Sequence, residues 1–307
     1  MAKTVDAQRS DRWPGLLRIP AHLTFVVAVL VVIGAWMTVY AVDVWGWGNR
    51  GEGRLPMWWE LFNDGVVEVV QWVYIAIFVV GAGYLGGRLQ GGPHAGVGSF
   101  FFVMSIGFAL ILIEEAGDVR LILAEAIGRW LGYEILGMHF HVLGTLPVML
   151  LLAFFPIYAL LRYGKHVWQL KRARKYLAAL YGLYAVSQIG AQTSHIEGWY
   201  AHFGNWINAT FFNWQLPAMP GIDPGANSYF IIDNVVEESL EMLAAGALLA
   251  MILAAAAELR GTAALVRGGA PTSRIAPADS AHAKGGARED ERVPAKPEVP
   301  VDSPQPQ

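Results

Sequence analysis

Four carboxylates crowd the start of one apolar stretch, Ile231-Ile-Asp-Asn-Val-Val-Glu-Glu-Ser-Leu-Glu-Met-Leu243, as Asp233, Glu237, Glu238 and Glu241. On a helix, Asp233 with Glu237 and Glu237 with Glu241 are four apart, and Glu238 with Glu241 three apart, so the acids share a face. A second acidic group, Glu114, Glu115 and Asp118, closes an earlier apolar stretch with the same spacings, and Glu68 lies early in another. Like charges so placed repel unless a cation sits among them or some are protonated. Arg120 is the one strong cation nearby in sequence, so a bound metal is the expected counter-charge.

The candidate ligands are Glu68, Glu114, Glu115, Asp118, His139, His141, His195, Glu238 and Glu241, with Glu237 as the general base. Carboxylates with imidazoles and no thiolate suit iron, manganese or zinc, and the chain contains no cysteine. Two acidic helices with histidines are also the ingredients of a two-metal site in a helical bundle. The Glu-x-x-His pair of such sites is replaced here by Glu115-Ala-Gly-Asp118 and Glu238-Ser-Leu-Glu241. His139 and His141 are two apart, so both can ligate only from extended backbone. Asp233 falls where a helix N-cap would stand and is read as a cap.

The elements that must carry these groups are membrane spans. The 307 residues are 55% hydrophobic and only 15% charged, far below the roughly 25% charged of soluble domains. The fold class expected is an all-α polytopic helical bundle with six transmembrane helices and an interfacial helix. The spans are His22 to Val44, Asp64 to just before Arg88, Ala95 to Glu115, His141 to Tyr163, Tyr176 to about Ser194 and Phe230 to Ala257. Asp118 to Gly132 is amphipathic and is expected to lie along the interface. Residues 1–21 form an N-terminal segment, 22–258 the membrane domain, and 259–307, rich in Ala, Gly, Pro and charge, a disordered tail.

Lysine and arginine placement orients the bundle. The connection 162–175 holds six basic residues and the connection 195–229 none, so the first is expected in the cytoplasm and the second outside. Both termini are then cytoplasmic, in the inner membrane of a bacterium. Five of the six spans bring acids, imidazoles or amides to the outer leaflet, where Gln188, Gln192 and His195 close the fifth. A carboxylate near the bilayer centre costs roughly 2.5 to 3.5 kcal/mol, so such groups face protein or water. The aromatic-rich loop 195–229 is either a belt at headgroup level or a lid over the acids.

Three functions fit. The leading one is a metal-dependent membrane enzyme, an oxidoreductase or hydrolase, with a small or lipid-like substrate. The second is a cation- or proton-coupled transporter or channel using the same acids. The third is a non-catalytic, haem-binding subunit of a larger membrane complex, since haem needs only histidine at the right depth. The expected partners are the lipid bilayer and other membrane subunits or further copies of the chain, with no nucleic acid, given a net charge of -3. No lysine lies within a span, which excludes a retinal Schiff base, and no phosphate loop or nucleophile elbow is present.

Overall fold

The computed structural model describes residues 15–48, 54–131, 134–135, 138–194 and 198–268. After a short turn at Gly15–Arg18 come α1 (Ala21–Val39), running on through a π-helical turn Tyr40–Val44, and the short α2 (Met57–Phe62). Then follow α3 (Val66–Leu89), α4 (Ala95–Gly117) and α5 (Val119–Leu131). A two-residue antiparallel ladder, Glu134–Ile135 against Met138–His139, precedes α6 (Phe140–Trp168) and α7 (Arg174–Thr193). The last elements are α8 (Trp199–Phe212), α9 (Pro224–Phe230), a π-helical turn Ile231–Val236 and α10 (Glu237–Gly268). Apart from that ladder the regular structure of the described residues is helical.

Five helical segments are long and apolar enough to cross a membrane: Ala21–Val44, Met57–Leu89, Ala95–Gly117, Thr145–Trp168 and Ala226–Thr262. They mark an integral membrane protein. The expected fifth span is α7, a helix of 20 residues, but Ser187, Gln188, Gln192, Thr193 and three tyrosines dilute its apolar content. The expected disordered tail starts too early at 259. Helix α10 carries on to Gly268, because Glu258, Leu259 and Arg260 are tied into the bundle: the Glu258 carboxylate accepts from the backbone N–H of Lys171 (3.0 Å) and Arg172 (2.9 Å), and Arg260 donates to Leu17 O (2.7 Å). The rest of the tail lies outside the described residues.

Helix α10 is the axis. It packs against α1, α3 and α7, while α4 packs on α3 and α6 packs on α4 and α5. Its stretch Ala244 to Ala256 is almost wholly buried, with Ala, Leu, Met and Ile on every side, the pattern of a helix enclosed by others. The outward faces of the other spans expose Leu30, Val80, Leu150 and Leu161, as lipid contact requires. Polar pins fix the packing: Trp36 Nε1 donates to Ser239 Oγ (3.0 Å), Tyr74 Oη to Thr24 O (3.1 Å) and Tyr181 Oη to Pro156 O (2.7 Å).

The close crossing of α3 on α4 depends on Gly86. A Cβ there would fall 2.8 Å from both Cβ and backbone N of Phe102, so the backbones meet where only hydrogen fits. Gly86→Ala is expected to lower stability by about 1–3 kcal/mol through overpacking, read as a drop in the unfolding midpoint in detergent. Gly87, next to it, meets nothing within 4 Å, and Gly87→Ala serves as the control with no such drop.

Candidate functional site

The acids collect at one end of the bundle because α3 and α10 begin there and α4 and α7 finish there. The centre is Glu241, 8% exposed. Its Oε1 accepts from Ser187 Oγ at 2.7 Å and from Gln188 Nε2 at 3.3 Å, both on α7. Its Oε2 accepts from Gln71 Nε2 of α3 at 3.3 Å. Three donors from two helices thus hold this one carboxylate in place.

Around it stand carboxylates without such provision. Glu68, Glu115, Glu238 and Glu241 lie within electrostatic reach of one another, and Tyr184 of α7 reaches the last three. Oε2 of Glu238 and Oε1 of Glu237 are buried with no hydrogen-bond partner among the described residues. Glu68 accepts from the backbone N–H of Asp64 at 2.9 Å, an N-terminal bond that fixes its carboxylate over the first turn of α3.

Arg120 is committed to Glu114. Its Nε lies 3.0 Å from Glu114 Oε1 in an ion pair. Glu114 is 3% exposed. The adjacent Glu115 lies, like Glu114, within electrostatic reach of both Arg120 and Glu241. Arg120 also reaches Glu115, Asp233 and Glu237 electrostatically, and Nη1 lies 3.8 Å from Met149 Sδ.

Two expected roles change. Asp233 is not a helix cap, because the chain is already helical: it sits within the π-helical turn Ile231–Val236 that leads into α10. Wide turns of this kind often accompany functional positions. Asp118 does not continue the stripe begun by Glu114. It ends α4 in the left-handed conformation (φ 46°) and is exposed, although it stays within electrostatic reach of Glu68 and Glu114. The backbones of His139 and His141 fall in the short ladder and the first turn of α6, while their side chains, and the whole of His195, lie outside the described residues.

Within the aromatic loop the chain forms α8 and α9. Trp206, Phe211 and Trp214 are half exposed or more, as in a headgroup belt. Tyr200 and Phe212 are buried, and Phe212 stacks on Trp36 with ring centroids 5.7 Å apart. Tyr200 reaches the acidic end. A Cβ on Gly190 would meet Tyr200 Oη at 2.8 Å and Glu237 Oε1 at 3.1 Å, so both groups close on α7 where it lacks a side chain. Tyr200 Oη, like Glu237 Oε1, has no hydrogen-bond partner among the described residues.

Gln71, Ser187, Tyr184 and Tyr200 were not singled out by spacing. Each had a faint signal: a polar or hydroxyl group within an apolar helix, with Gln71 three residues after Glu68. Among the described residues no three acidic or histidine side chains converge to metal-ligand distances. Comparison with models of known families, with curated proteins and with solved structures finds no match.

Proposed function

We propose that this chain is a six-span membrane metalloprotein, with α7 as the additional span, in which Glu68, Glu115 and Glu238 bind a divalent metal such as manganese, iron or zinc. The carrying observation is the imbalance of charge and bonding: buried oxygens of Glu237 and Glu238 without partners among the described residues, while Arg120 is engaged by Glu114. A divalent cation neutralises two carboxylates and satisfies several oxygens at once. Ligation requires the carboxylates to rotate towards one another, as their present spacing is wider.

The reading is enzymatic. A metal there supplies Lewis acidity or an activated water, Glu237 beside it takes a proton, and Tyr200 and α8 exclude bulk water. A small or lipid-like substrate suits a site at one end of the spans, with partners limited to lipid, other subunits or further copies of the chain. By the positive-inside rule this end faces out of the cell, opposite the basic turn between α6 and α7. Protein purified in detergent is expected to carry metal in stoichiometric amount, lost in Glu238→Ala, by elemental analysis. A metal-free protein that takes up none on addition would overturn the assignment.

A second reading, proton- or cation-coupled transport, draws on the same wide spacing: protonation also relieves repulsion between carboxylates that do not converge. It is supported instead if the protein binds no metal and reconstituted vesicles show cation-coupled flux.

A further inference from the structure

The end of the bundle opposite the acids carries the reverse charge. Across the end of α6, the following turn and the start of α7 stand Arg162, Lys165, Lys171, Arg172, Arg174 and Lys175. All six are exposed, and none forms an ion pair among the described residues. Glu258 of α10 is the one acid at this end among the described residues, and the backbone engages both its oxygens: they accept from the N–H groups of Lys171 at 3.0 Å and Arg172 at 2.9 Å. That clamp fixes the turn without drawing its side chains inward. Six cations are thus held at one place with a single acid set against them.

We infer that this turn binds the headgroup phosphate of an anionic phospholipid. Three observations select a lipid over a soluble phosphate. The turn follows directly on the span Thr145–Trp168, so its charges stand at headgroup depth, where Lys and Arg attract anionic lipid. Lys175 Nζ lies 4.8 Å from the centroid of the Tyr176 ring and Arg162 Cζ 6.0 Å from that of Tyr163, and tyrosine with a cation over its ring suits a membrane interface. Although consecutive, α6 and α7 pack on different neighbours, α6 on α4 and α5 and α7 on α10, which leaves the outer face of α6 to lipid. There Leu161 is 80% exposed, Phe154 and Tyr158 stack at 5.8 Å, and Tyr158 meets Tyr163 edge-on at 6.0 Å. Cations therefore head an apolar and aromatic lane, which matches a phosphate above acyl chains. The inference uses the other end of the bundle and is independent of the metal reading.

The test is binding of fluorescent phosphatidylglycerol, with phosphatidylcholine for comparison, to the full chain in a neutral detergent. Wild type is expected to prefer phosphatidylglycerol, and Lys171→Gln/Arg172→Gln to weaken that binding roughly tenfold. Arg54→Gln/Arg129→Gln removes the same charge at the acidic end and is expected to bind like wild type. Equal affinity of wild type for the two lipids overturns the inference, since the contact is then apolar alone. Wild-type affinity in Lys171→Gln/Arg172→Gln also overturns it, as does equal weakening in both double variants, which reports net charge rather than a site. Inorganic phosphate that displaces the lipid at similar concentration assigns the turn to a soluble anion and overturns the lipid reading. Glutamine keeps the backbone N–H groups that Glu258 holds, so the unfolding midpoint in detergent is expected to stay at the wild-type value. The same weakening is expected in Arg174→Gln/Lys175→Gln, which lies outside the clamp, so the outcome stands even where the first pair lowers that midpoint.

Discussion

Glu241→Ala is expected to destabilise the folded protein by about 2–5 kcal/mol, seen as a lowered midpoint of denaturant unfolding in detergent. The estimate follows from what is left behind rather than from what is removed. Ser187 Oγ, Gln188 Nε2 and Gln71 Nε2 all donate to this carboxylate, and Ser187 and Gln71 are each 1% exposed. A buried donor stripped of its acceptor costs about 1–3 kcal/mol. Glu238→Ala provides the contrast. Its Oε2 has no donor among the described residues, so its removal relieves repulsion and is expected to leave stability unchanged or raised while abolishing metal uptake. Equal stability of Glu241→Ala and wild type would show that the three bonds are not maintained in the membrane protein.

Arg120→Ala is the second large effect, about 2–4 kcal/mol of destabilisation. Breaking a buried ion pair from one side costs roughly 3–5 kcal/mol because the remaining charge is stranded. Here the figure is reduced, as the Arg120 side chain is 37% exposed against 4% for Glu114, and solvent screens the exposed partner. Neutralising the stranded acid in Glu114→Gln/Arg120→Ala is expected to recover most of the loss, and a double-mutant cycle isolates the pair energy. No recovery would locate the role of Arg120 elsewhere, at Glu115, Asp233 or Glu237, which it also reaches.

The helical, membrane-spanning character was readable because it depends on runs of apolar residues, and the gathering of acids at one end followed from where each run starts and stops. Partner identity was not readable from helix spacing. Glu237 and Glu241 do stand four apart in α10, yet one closes on Gly190 and the other on Ser187, Gln188 and Gln71, because those partners come from other helices. Glu114 and Asp118 illustrate the reverse failure. The spacing implied a shared stripe, but α4 ends at Gly117 and a left-handed residue redirects the chain. Asp233 looked like a cap because a polar residue before an apolar run is the usual signal. That signal fails when the preceding residues are already helical, as Pro224 to Val236 are. Gln71 is a single amide in an apolar span and generates no periodicity. Its bond to Glu241 depends on α3 and α10 meeting, which no spacing within one helix reveals.

The central placement of α10 sets the chain's assembly against its order of synthesis. Helices α1, α3 and α7 meet chiefly through α10, yet all three precede it along the chain. At ribosomal speeds of roughly 5–20 residues per second, the interval between the end of α3 and the start of α10 is on the order of ten seconds. During that interval Glu68 and Gln71 enter the membrane without Glu241, and α1 and α3 without the helix that lies between them. The nascent protein can therefore pair α3, α4, α5 and α6, whose mutual packing needs no α10, while α1 and α7 are joined to them only in a late step when α10 arrives.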